Sequence, residues 1–186
     1  LNTLPEVTVG TVTSNDYCGW TWALAVDPMC ARRARRLVAE TLGALDVPPE
    51  TVGDAELMVS ELATNAFRHA ARHGPHELWI FTPGQPHGDV AGPDAREIVC
   101  AVFDALPEPG LRADTAFCGD FGRGLSIVQE LSHGRWGVWP ARSRLHHGVR
   151  GHGVRGKAVW FGCPVPAAVV RSVGRMCADR RHLTVI

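Results

Sequence analysis

One lysine, one tyrosine, no net charge and no Cys-x-x-Cys pair mark this 186-residue chain, and each scarcity excludes something. Nineteen basic residues balance nineteen acidic ones, so no bulk field draws the chain to nucleic acid. The basic set is 18 arginines and Lys157 alone. Six cysteines, at 18, 30, 100, 118, 163 and 177, are scattered without zinc-ribbon or redox spacing. They read as thiols of a reducing compartment. No apolar run reaches the roughly 18 residues of a membrane span, and no signal peptide opens the sequence. A cytoplasmic protein without direct nucleic-acid or membrane contact is the expectation. The length suits one domain with tails and allows a sizeable core.

What is present falls into ordered segments. Residues 1–19 form an N-terminal tail or edge strand, in which Val7, Val9 and Val12 partly alternate with polar residues. Trp20–Val26 reads as a strand. Asp27-Pro28 then offers an N-cap and a first-turn proline, and Ala34, Leu37, Val38, Leu42 and Leu45 recur at helical spacing. A second helix runs from Thr51 to about Ala71, where Gly74-Pro75 stops it. Glu77–Thr82 and Glu97–Asp104 are strands around a Pro/Gly loop. Gly124–Ser132 is a short helix, and Trp136–Trp139 and Lys157–Gly162 are strands. Between these last two lies a five-residue tandem repeat, His147–Gly151 and His152–Gly156, which reads as a local loop expansion. His146, His147 and His152 lack acidic or cysteine partners for a metal site. Residues 163–186 are a C-terminal tail with a helix from Ala167, placed to dock on the core or to serve a homodimer or partner. Helices segregated to one face of a mixed, mostly antiparallel sheet give an α+β two-layer sandwich.

The segment Val59-Ser60-Glu61-Leu62-Ala63-Thr64-Asn65-Ala66-Phe67-Arg68-His69-Ala70 concentrates the chemistry. At about 100° per residue, Ala55, Val59, Leu62, Ala63, Ala66 and Ala70 fall on one side. Asp54, Glu61, Asn65, Arg68 and Arg72 fall on the other. A carboxylate, an amide and a guanidinium then stand one turn apart. Those groups suit a magnesium nucleotide, and equally suit a solvated helix face. Two other stretches mimic known sites. Gly151–Ala158 nearly spells a phosphate loop, but it lacks the Ser/Thr for the metal and enters a strand where a helix is needed. Asp120-Phe121-Gly122 imitates a kinase metal triplet without the upstream lysine and His-Arg-Asp loop that such a fold requires.

The helical segment resembles the N box of the GHKL (Bergerat-fold) ATPases, and within them most resembles the anti-sigma-factor serine kinases of the actinobacterial type. Val102-Phe103-Asp104, Gly122-Arg123-Gly124-Leu125 and Gly156-Lys157-Ala158-Val159-Trp160 match further pieces in order. The resemblance spans roughly residues 20–162, as an ATPase domain. It implies that Asn65 ligates Mg²⁺, that Glu61 is the general base, and that Asp104 reads the adenine amino group. It implies nucleotide contacts from Arg68, His69, Gly122, Arg123, Gly124, Leu125 and Gly156. Asp104 departs from the family pattern, because Ala105, Leu106 and Pro107 follow it in place of Asp-x-Gly-x-Gly.

The expected function is therefore that of an ATP- and Mg²⁺-binding regulator. It would phosphorylate a serine of a STAS-type anti-anti-sigma protein and sequester a sigma factor. The alternative is an ATP-sensing protein-binding module without transfer chemistry. A histidine-kinase catalytic domain is a third, weaker reading, which would require this chain to be a truncated fragment.

Overall fold

Period-two patterning in the strand runs gives one sheet with two different apolar faces. The structure is a computed structural model and describes residues 17–83, 96–106, 122–147 and 153–181. Strands β1 (Tyr17–Leu24), β2 (His76–Pro83), β3 (Glu97–Asp104), β4 (Trp136–His147) and β5 (Gly153–Pro164) lie in the order β1-β2-β3-β5-β4. All four pairings are antiparallel. Helices α1 (Cys30–Ala44), α2 (Pro49–Ala70), α3 (Gly122–Leu131) and α4 (Ala167–Arg181) complete the α+β sandwich expected above.

The main core lies between helices and sheet. Trp20, Trp22 and Leu24 of β1, Leu78 and Ile80 of β2, and Ile98, Cys100 and Val102 of β3 meet Leu37, Val38, Val59 and Leu62 of the helices. Alternate residues point to the other face, where Trp79, Phe81, Val99, Ala101, Phe103 and Ala158 form a second cluster. Trp79 and Phe103 stack there with centroids 5.4 Å apart.

Helix α2 has 22 residues, and its buried set of Ala55, Met58, Val59, Leu62, Ala63, Ala66 and Ala70 follows the three-and-four spacing read from sequence. Glu50 in its first turn and Arg68 and His69 in its last complement the helix dipole. Helix α1 begins later than Asp27-Pro28 suggested, with Met29 as its N-cap. Asp27 Oδ1 instead accepts the Met29 amide in the preceding turn, at 2.7 Å.

Strands β4 and β5 are longer than their sequence patterns. The second copy of the repeat is largely strand, since Gly153–Gly156 belongs to β5, while residues 148–152 lie outside the described set. Of the histidine cluster, His146 and His147 end β4, while His152 and residues 84–94 of the Pro/Gly loop lie outside the described residues. β4 breaks register between Arg142 and His147. There Glu77, fully buried, accepts hydrogen bonds from Trp79 Nε1 (2.8 Å), Ser143 Oγ, Arg144 N (2.9 Å) and Leu145 N (3.2 Å). One carboxylate satisfied by four donors thus ties the irregular part of β4 to the back of the sheet. Arg144 stacks over Trp79 beside it, 4.1 Å from the ring centroid.

The last helix docks on the core through Val169 and Val173. Cys30, Cys100 and Cys163 are free and buried. A hydrogen bond with Cys163, followed by burial, pushes the Cys100 thiol well above its ordinary range, away from nucleophilic chemistry. Cys18 is disulfide-bonded, so the reading of scattered free thiols does not hold at that position. Among the described residues no helix is long and apolar enough to cross a membrane.

Gly19 of β1 faces Phe81 of β2, and a Cβ there would collide with the Ile80 carbonyl oxygen and the Phe81 backbone. Gly19→Ala should lower the unfolding free energy by about 2 kcal/mol or more, seen as a lower urea midpoint at unchanged slope. An unchanged midpoint would contradict this close approach.

Candidate functional site

A cleft opens where the second half of α2 crosses the middle of the sheet. Leu62, Asn65, Ala66 and His69 line it from α2, and Leu125 lines it from α3. Val102 and Asp104 of β3, Val138 of β4 and Lys157 and Val159 of β5 form the sheet side. It encloses about 520 Å³, solvent-open space included. Apolar walls with a few convergent polar groups are the usual make-up of a small-ligand site.

The polar groups arise from register. Asp104 ends β3 and is the cross-strand partner of Lys157. Period two then turns both toward the helical layer. Lys157 Nζ donates to both carboxylate oxygens of Asp104, at 2.6 and 2.7 Å, and the Leu106 amide donates to Oδ1 at 3.1 Å. Both residues are buried, Asp104 being 3% and Lys157 5% exposed. A buried ion pair adds little net stability relative to apolar residues of the same size. Its presence in the wall of a cleft therefore points to recognition.

Asn65 brings the third group. Its Nδ2 is buried and has no hydrogen-bond partner among the described residues. Amide nitrogen and oxygen exchange by a 180° flip, so the same place takes either a donor or an oxygen ligand. Mg²⁺ takes few protein oxygens and keeps water and phosphate as its other ligands. The orphaned Asn65 amide fits that requirement.

Other expected site residues are placed differently. Glu61, one turn before Asn65, does not line the cleft. Its Oε2 lies 2.5 Å from where a Cβ on Gly124 would be, against the first turn of α3. Gly124 thus leaves room for the Glu61 carboxylate beside a helix N-terminus, where negative charge is favoured. Leu125 contributes apolar wall. Gly122 opens α3, and the Arg123 side chain lies outside the described residues. Arg68 is exposed and is not part of the lining, whereas His69, also exposed, is. Gly156 is accounted for by strand packing, since a Cβ there would strike the Asp104 carbonyl and Ala105.

A family model for the histidine kinase-like ATPase domain matches residues 24–134. The chain belongs to that family. Membership implies ATP binding in a regulatory role, and it accounts for an amide-bearing helix laid over a strand that ends in aspartate. No curated protein gives a significant match to the chain.

Sequence reasoning overlooked Lys157 as a site residue. The signal available was that it is the one lysine among 18 arginines; its place opposite Asp104 comes from the register of β3 and β5. Lys157→Met leaves the Asp104 carboxylate buried without its cation, which should cost about 3–5 kcal/mol. Adding Asp104→Leu should restore most of that loss. Chemical denaturation of the three proteins checks both statements, and a neutral Lys157→Met would contradict the buried pair.

Proposed function

We propose that this chain is an ATP-dependent regulator of the anti-sigma-factor type, a serine kinase acting on a STAS-domain anti-anti-sigma protein. The observation that carries the nucleotide part is the buried Asn65 amide nitrogen, unpartnered among the described residues, in a cleft that Asp104 also lines. The base would lie against Leu62, Val102, Leu125 and Val159, with its polar edge toward Asp104. Asn65 would hold Mg²⁺, which when bound screens phosphate charge and orients the terminal phosphoryl group. His69 and the amides opening α3 would face phosphate oxygens.

Phosphotransfer needs a base for the incoming serine hydroxyl. Glu61 is the carboxylate nearest in sequence to Asn65 on the polar side of α2. Its carboxylate would take the hydroxyl proton as the serine oxygen attacks the γ-phosphorus, the β,γ-bridging P–O bond breaks and ADP leaves. A partner docking over α2 and α3 would bring that hydroxyl to Glu61, and a sigma factor would compete for the same surface.

A second reading, an ATP-sensing module without transfer, is favoured by the placement of Glu61, which packs on Gly124 and stays out of the cleft lining. Two substitutions separate the readings. Asn65→Ala should abolish magnesium-dependent ATP binding in a calorimetric titration, and retained affinity would remove the metal role. Glu61→Gln should leave ATP binding intact and slow labelling of a STAS protein by about 10²–10⁴-fold. Unchanged labelling would show that Glu61 is not the base, and no labelling by the parent protein would favour the sensor.

A further inference from the structure

We infer that Lys157 sets the base specificity of the cleft, opening it to 6-oxo purine nucleotides as well as to adenine nucleotides. The inference rests on the nucleotide-site reading above and extends it. An unaccompanied carboxylate only accepts hydrogen bonds. It welcomes a 6-amino group and repels a 6-carbonyl oxygen, which would place two acceptors face to face without water. In this cleft the carboxylate is not unaccompanied.

Lys157 Nζ contacts both oxygens of Asp104, at 2.6 and 2.7 Å. An ammonium has three donors and no acceptor. With two turned to the carboxylate, one remains. Asp104 Oδ1 already takes Lys157 and the Leu106 amide, whereas Oδ2 takes Lys157 alone among the described residues and keeps a lone pair for a ligand. Both side chains line the cleft. The wall therefore offers one acceptor and one donor side by side.

Adenine presents a donor at N6 and an acceptor at N1. Guanine and hypoxanthine present an acceptor at O6 and a donor at N1. Each edge is one donor beside one acceptor, and each satisfies the pair by exchanging which group meets Asp104. The pair is neutral overall, so neither edge meets an unbalanced charge. Leu62, Val102, Leu125 and Val159 contact ring faces, which these purines share.

The test is calorimetric titration of the whole chain with Mg-ATP, Mg-GTP and Mg-ITP. ITP carries the 6-oxo and N1–H groups without the 2-amino group, and so isolates the two atoms the pair reads. The expected result is dissociation constants within about tenfold of one another, since each edge makes the same number of bonds. In Lys157→Thr, which keeps the carboxylate and removes the ammonium, GTP and ITP should weaken by about tenfold or more relative to ATP. ATP binding with GTP and ITP more than tenfold weaker on the parent chain overturns the inference and leaves the ATP site standing. A folded Lys157→Thr with an unchanged ratio also overturns it. Should that variant fail to fold by circular dichroism, the parent ratio decides. Failure of all three nucleotides to bind at millimolar concentration overturns the site itself.

Discussion

The cross-strand pair of Asp104 and Lys157 is the constraint around which the cleft is organised. It needs β3 and β5 in one register, because a slip of one residue would turn either side chain to the opposite face. It needs those strands close together, which Gly156 permits by having no side chain against the Asp104 carbonyl. It also needs the helical layer to keep water from the pair. Satisfied by each other, the two charges tolerate burial among Val102, Val159 and Leu62, where either alone would be costly.

The helical side answers with one element that has two functions. The apolar stripe of α2, from Ala55 to Ala70, holds it on the sheet. The same helix then aims Asn65 into the cleft and sets Glu61 against α3. Positioning by a rigid helix suits a site that binds a nucleotide in fixed geometry. Glu61 thus sits where the two helices that border the cleft come together. On the far face, Glu77 performs a structural task for β4, accepting hydrogen bonds from Trp79, Ser143, Arg144 and Leu145.

Much of this was legible in the residues. The Ala55–Ala70 periodicity located α2 within two residues, and Glu97–Asp104 appeared as a strand with its observed bounds. Asn65, on the polar face of a helix, and Asp104, to which the resemblance pointed, both line the cleft. Pairing between distant segments was not legible. Lys157 and Asp104 are 53 positions apart, and only strand register joins them. Gly156 carried a ligand expectation that strand packing explains equally well. The full lengths of β4 and β5 were hidden because Gly, Arg and His interrupt their patterns, and the Glu77 hub holds the irregular part by polar contacts that leave no periodicity.

The chain's single lysine makes its central claim directly observable. With ¹⁵N-labelled lysine, the side-chain amine signal belongs to Lys157 alone. The account predicts a slowly exchanging ammonium signal in the nucleotide-free protein, retained by the Asp104 pairing and displaced saturably by Mg-ATP. A signal typical of a solvated lysine, or one unmoved by ATP up to millimolar concentration, would contradict it.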